Sequence, residues 1–189
     1  MSGFQLLLIV AGIAAVFALL MLWMRSMMRK LRELWAPNTQ LVNGTFSRFR
    51  AKVTGTYQSR PILVYLGNQD AEEKAYSYNL RMTLPPGFEN WALAYVVPRK
   101  GEPPVWALKA KPGATEQLTS AGLLAEVASI PGNWQLRYRA GNGGLQLSIA
   151  GVGMYFCPDV ATFQAQLDLL VRIAAITLAA AGTPLRAAA

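Results

Sequence analysis

Three patterns of hydrophobic and polar residues follow one another along this chain, and each predicts a different kind of element. The first is a continuous apolar run from Phe4 to Met24, without a charge and with Gln5 as its only strongly polar member. As a helix it rises 1.5 Å per residue and spans about 30 Å, the thickness of a bilayer's hydrocarbon core. A cleaved signal peptide would carry basic residues before a shorter run and small residues after it. No Lys or Arg precedes this run, and Leu22, Trp23, Met24 and Arg25 close it. The segment reads as a retained anchor.

The second pattern is helical. Met24, Met27, Met28, Leu31, Leu34 and Trp35 recur at helix spacing, with Arg25, Arg29, Lys30 and Arg32 between them. This predicts a basic amphipathic extension that ends at Ala36, before Pro37. One reading lays the extension in the headgroup layer, where each basic side chain gains about 1 kcal/mol from anionic lipid. The other packs its apolar stripe against the following domain or a partner subunit.

The third pattern has period two and begins after a short linker, Asn38 to Gly44. Phe49 to Tyr57 alternates with Arg48, Arg50 and Lys52, turns at Gln58 to Arg60, and returns as Ile62, Val64 and Leu66. Asn68 to Glu73 reads as a polar loop. Tyr76 to Leu84, Trp91 to Val97, Val105 to Leu108, Trp134 to Tyr138 and Leu145 to Ile149 are further strands, the last two joined by a turn at Gly141 to Gly144. Gly151-Val152-Gly153 leads into Met154-Tyr155-Phe156, which again reads as strand. Thr115 is the expected cap of a helix through about Val127, stopped by Pro131 and Gly132, and Pro158-Asp159 opens a last helix to about Ala180. Asp168 and Arg172 lie four apart in it, as an ion pair on a solvent face would.

These elements predict an α+β fold: an N-terminal transmembrane helix, then an antiparallel sheet of about seven strands packed by two helices. The expected divisions are anchor and extension 1–35, linker 36–46, soluble domain 47–181 and an Ala-rich tail 182–189.

Charge sets the orientation. The chain carries 18 Lys+Arg against 10 Asp+Glu, a net +8. Four of those cations follow the anchor and none precedes it, which places the N-terminus outside and the domain on the cytoplasmic face of an inner membrane. Trp23 and Trp35 are placed to sit among the headgroups. Inside the span, Ala11, Ala15 and Ala18 share a face with Gly12 beside them, so another helix can approach closely. In the domain, Arg48, Arg50 and Lys52 share one side of a strand, as do Lys109 with Lys111 and Arg137 with Arg139. These are either solvent-side positions of a sheet or a basic surface for the inner leaflet or an acidic partner. Membrane lipids and other subunits are therefore the expected partners, and charge alone does not make a nucleic-acid binder.

Candidate chemistry is thin. There is no histidine and a single cysteine, Cys157, so the usual general base, a zinc or iron–sulfur cage and the usual haem ligand are all lacking. Cys157 reads as a small buried hydrophobe. Asp70, Glu72 and Glu73 form the only acidic cluster, a solvated turn. The glycine-rich segments lead into strands, whereas a phosphate cradle leads into a helix. No catalytic residue, metal site or cofactor is expected.

The segment Gly55-Thr56-Tyr57-Gln58-Ser59-Arg60-Pro61, with the anchor before it, resembles uncharacterised bacterial single-pass membrane-anchored proteins with a C-terminal α+β domain. The resemblance covers residues 47–175 and implies no activity. The expected function is a non-catalytic accessory or scaffold subunit of a larger membrane complex. Energy-converting respiratory or photosynthetic assemblies, which carry such small subunits, are the class named by analogy. The alternative is a peripheral lipid-responsive or signalling module at the inner leaflet. The orientation is checked by adding protease to intact cells. A C-terminal tag should stay protected, and its ready removal would reverse the topology.

Overall fold

The apolar run and the amphipathic stretch form one helix, α1 (Gly3–Leu41). In this computed structural model the described residues are 3–47, 50–70, 75–85, 88–96, 105–128, 134–142 and 144–181. Arg48, Glu72, Glu73, the Pro131-Gly132 stop and the tail 182–189 lie outside them.

Pro37 does not end α1, contrary to the sequence expectation. A proline inside a helix cannot bond to the carbonyl four residues back, here that of Glu33, which costs about 3 kcal/mol. The turn beyond it is held from outside. Asn38 Nδ2 donates to Pro158 O at 2.8 Å and to Cys157 Sγ at 3.3 Å, and Val42 is fully buried. The stop comes later, where Asn43 takes a positive φ of 46°. Its N–H bonds to Gln40 O and that of Gly44 to Thr39 O, the paired bonds of a Schellman cap. The expected linker 36–46 is thus the last turn of α1, its cap and a first strand, β1 (Thr45–Phe46).

Seven longer strands follow: β2 (Lys52–Tyr57), β3 (Arg60–Asp70), β4 (Ala75–Thr83), β5 (Trp91–Val96), β6 (Val105–Lys109), β7 (Trp134–Arg139) and β8 (Gly144–Val152). They form one eight-stranded antiparallel sheet in the order β1-β2-β3-β4-β8-β7-β5-β6. The strand beyond the expected seven is β1, which pairs Thr45 with Thr54 and Phe46 with Val53. That pairing needs a reversal between Phe46 and Lys52, so the alternation read from Phe49 is not one strand. Arg50 and Ala51 sit in the bend. β3 extends to Asp70 through a bulge, into what reads as loop, and β8 ends at Val152, so Met154 to Phe156 is not strand.

The helix expected from Thr115 to Val127 is two, α2 (Pro112–Ser120) and α3 (Leu123–Ala128). Pro112, whose ring presets the helical φ, starts α2 ahead of Thr115, and Gly122 breaks the run with a φ of 85°. The last helix, α4 (Val160–Ala180), is capped by Asp159, which accepts from Thr162 N at 2.8 Å. It is long and apolar enough to span a membrane, yet its stripe of Phe163, Leu167, Leu170, Ile173 and Ala174 is buried in the domain. Asp168 and Arg172 do not pair with each other. Tyr57 Oη donates to Asp168 Oδ1 at 2.7 Å and Arg172 pairs with Glu126, because neighbouring elements offer each a partner.

Trp35 joins the layers. It is 3% exposed, stacks on Tyr78 of β4 at 6.2 Å and meets the edge of Phe163 of α4 at 6.1 Å. Its expected place among the headgroups is therefore corrected: the indole area is removed from water by the domain itself. Leu31 is buried with it and Met28 packs against the same core. Trp35→Ala should destabilise the domain by about 3–5 kcal/mol in denaturant unfolding of the detergent-solubilised protein. A loss below about 1 kcal/mol would separate α1 from the core.

Candidate functional site: the anchor joint and the open face of the sheet

From Phe4 to Ser26, α1 is open to its surroundings among the described residues. Every described side chain from Phe4 to Ser26 is exposed, including Ala11, Gly12, Ala15, Ala18, Trp23 and Arg25. Ala11, Ala15 and Ala18 fall on one side of the helix, as their spacing requires. Arg29, Lys30 and Arg32 are exposed one to two turns further on, with Arg29 3.9 Å from Glu33. The helix is long and apolar enough to cross a membrane.

Because α1 runs without a break from that segment into the core, it gives the sheet an orientation. Trp35 lies against Tyr78, which pairs with Leu66, and Leu66 N bonds to Ala51 O at the start of β2. Val42 lies further along β2: its carbonyl accepts from Thr56 N at 2.6 Å, and a Cβ on Gly55 would run into it. From Trp35 to Val42 the helix advances about 10 Å, roughly three residues of strand. The Ala51 end of β2 therefore faces the apolar segment, and the Tyr57 end faces away.

The strand register carries this across the sheet. The helices cover the face bearing Val53, Val64, Tyr78, Leu80, Leu136 and Leu147, all buried. On the other face, Gly67 with Ser77 lies nearest the anchor, and three longer rows follow. In the first, Lys52, Tyr65, Asn79, Ser148, Gln135 and Ala94 pair in sequence. Next come Thr54, Leu63, Arg81, Gln146, Arg137, Ala92 and Lys109. Thr83, Gly144 and Arg139 lie furthest away.

Two groups stand out on this open face. A polar network occupies its middle: Asn79 Oδ1 accepts from Gln146 Nε2 at 2.7 Å and from Ser148 Oγ at 2.9 Å, and Asn79 Nδ2 donates to Ser77 Oγ at 2.9 Å. Tyr65 Oη lies 3.4 Å from Gln146 Nε2. Asn79 and Gln146 are 5% and 8% exposed, and their mutual bonds offset that burial. Beside the network an open trough of about 540 Å³ lies over β5, with Ala92 on its floor and Lys109, Gln135, Arg137 and Arg139 among its walls.

The structure thus redistributes the expected basic residues. Arg48 lies outside the described residues, and Arg50 is exposed in the bend while Lys52 opens β2, so Arg50 and Lys52 do not share a strand face. Lys111 leaves the strand to precede α2 and pairs with Glu89 at 2.7 Å. Arg137 and Arg139 share a face as expected, and Lys109 joins them across β5. The network of Asn79, Gln146 and Ser148 was not expected from the sequence, because only strand order brings β4 and β8 together. Among the described residues no three His, Cys, Asp or Glu side chains converge.

Cys157 packs between the helices, where Asn38 donates to its sulfur and the thiol approaches Leu34 O at 3.5 Å. Burial pushes its pKa up to about 11, partly offset by the Asn38 hydrogen bond. Comparison with known protein families, curated proteins and solved structures finds no match to this chain.

A raised thiol pKa favours the protonated form in the fold, so its contribution to stability is whole below the unfolded value of 9.0 and is lost as pH rises through about 11. At pH 8 the native thiol should alkylate at least about tenfold more slowly than in urea, since the thiolate is the nucleophile. Equal rates would show that Asn38 and the helix joint do not enclose it.

Proposed function

We propose that the protein is a non-catalytic scaffold subunit of a larger membrane complex, with its α+β domain on the cytoplasmic face. The observation that carries this reading is the continuity of α1. A flexible linker leaves a tethered domain free to search, whereas this domain is fused to its anchor through buried Trp35, Asn38 and Val42. Such a joint fixes the height and rotation of the sheet above the bilayer, which is what positioning a partner requires. The small-residue side of Ala11, Gly12, Ala15 and Ala18 is open to a neighbouring helix, and the collar of Arg25, Arg29, Lys30 and Arg32 suits anionic headgroups. An energy-converting assembly, respiratory or photosynthetic, is the class of complex named by analogy.

A second reading, the lipid-responsive module, draws on Arg50 and Lys52 at the anchor end of the sheet. The cations of the trough favour the scaffold, because they lie in the middle and far rows and on the face opposite α1.

Two variants test the scaffold reading in mild detergent. Ala11, Ala15 and Ala18 changed to Leu keep the span apolar but fill the close-approach face. Six Gly-Ser residues inserted after Arg29 leave Leu31 to Val42 docked and uncouple the domain. Both should still fractionate with membranes and lose the subunits that co-purify with wild type. Partners retained by the insertion variant, or no partner with wild type, would overturn the reading.

A further inference from the structure

We propose that the trough over β5 binds an extended acidic segment of a partner protein, with carboxylates at alternate positions. The trough exists because side-chain size changes abruptly along one row. Ala92 lies between Arg137 on β7 and Lys109 on β6, so a small residue is flanked by two long cations. Ala94 and Ala107, paired in the next row, are small residues as well. An extended chain laid there has a wall of Gln135, Arg137 and Arg139 beside it.

Spacing and charge set the occupant. Arg137 and Arg139 are two residues apart on one strand, about 7 Å, which is also the repeat of same-side residues in an extended peptide. Alternate Asp or Glu residues therefore meet successive guanidinium groups, with Lys109 reached from the opposite side. The two rows that hold Lys109, Arg137 and Arg139 contain no carboxylate among the described residues. Glu89, at the rim next to Asn90, is already paired with Lys111. Arg137 Nε is buried without an acceptor, so part of that guanidinium's bonding capacity is unspent.

The same geometry disfavours other anions. Lipid headgroups lie toward the Ala51 end of β2, whereas Arg139 is in the far row. A single-stranded nucleic acid needs aromatic platforms, and the rings of Trp91 and Tyr138 are buried on the helix side of the sheet. The proposal deepens the scaffold reading by naming the partner's chemistry, and it rests on that reading for the partner being a protein.

The test uses the full chain in nanodiscs of zwitterionic lipid and a fluorescent twelve-residue peptide of alternating Glu and Ser. Wild type should bind it with an affinity that falls as salt rises. Arg137→Gln with Arg139→Gln should weaken binding about tenfold or more, and Arg50→Gln with Lys52→Gln less than about twofold. Thermal unfolding reports whether each variant folds. Should the arginine pair fail to fold, Lys109→Gln with Arg139→Gln, both exposed, must show the same loss. Absence of wild-type binding, equal loss from both basic pairs, or tighter capture of an oligonucleotide or of anionic vesicles through Arg137 and Arg139 would each overturn the proposal. Co-purification with the anchor variants is read separately, so the trough fails without the scaffold reading failing.

Discussion

The packing of Trp35 between β4 and α4 is the contact on which the rest of the structure depends. It turns the end of a helix long and apolar enough to span a membrane into a core element, with Tyr78 stacked on one side and Phe163 edge-on from another. Tyr78 in turn meets Phe156 at 5.3 Å and donates to Gln166 Oε1 at 2.9 Å, so α1, the sheet and α4 share one aromatic cluster. A helix so engaged cannot pivot against the domain. The proline at position 37, which would break an isolated helix, is tolerated because Asn38 and Val42 are tied to the loop before α4 and to β2. Tertiary contacts outweigh a local penalty of about 3 kcal/mol.

That joint divides the sheet into two unlike faces. The face against the helices is sealed with aliphatic and aromatic side chains. The other must meet water or a partner, and it carries a self-bonded amide and hydroxyl network in place of an apolar surface. Asn79 and Gln146 satisfy each other, so the middle of a wide sheet is kept polar, with Arg81 opposite Gln146 on the same face. Cations flank this network, and the row containing Arg137, Ala92 and Lys109 leaves a depression where chain size drops. Orientation then separates two groups of cations: the collar follows the apolar segment of α1 directly, and the trough lies in the rows further from it, on the opposite face of the sheet.

Much of this was legible in the sequence. The apolar run, the basic flank behind it and the period-two strands follow from local physics: helix rise against bilayer thickness, and alternate side chains on opposite faces. They determined the α+β class, the span-length helix and most of the strands, and they marked the last helix as starting at Pro158-Asp159. Local signals also competed. Pro37 and the Asn43-Gly44 pair are both helix stops, and the stronger on propensity lost. Arg50 and Lys52 fitted one strand only while the reversal that lets β1 pair with β2 was unseen.

Tertiary structure decided what pairing and packing supply. No spacing rule puts Lys109 opposite Arg137, since 28 positions and a pair of helices separate them in the chain and only β5 lies between them in the sheet. The amide network likewise needs β4 beside β8, a pairing across more than sixty residues. Trp35 shows the division most clearly. Its helical spacing with Leu31 identified an apolar stripe, but whether lipid, partner or domain covers such a stripe depends on which surface is near. The fold brought Tyr78 and Phe163 to it, and that proximity belongs to the whole chain, not to any window of it.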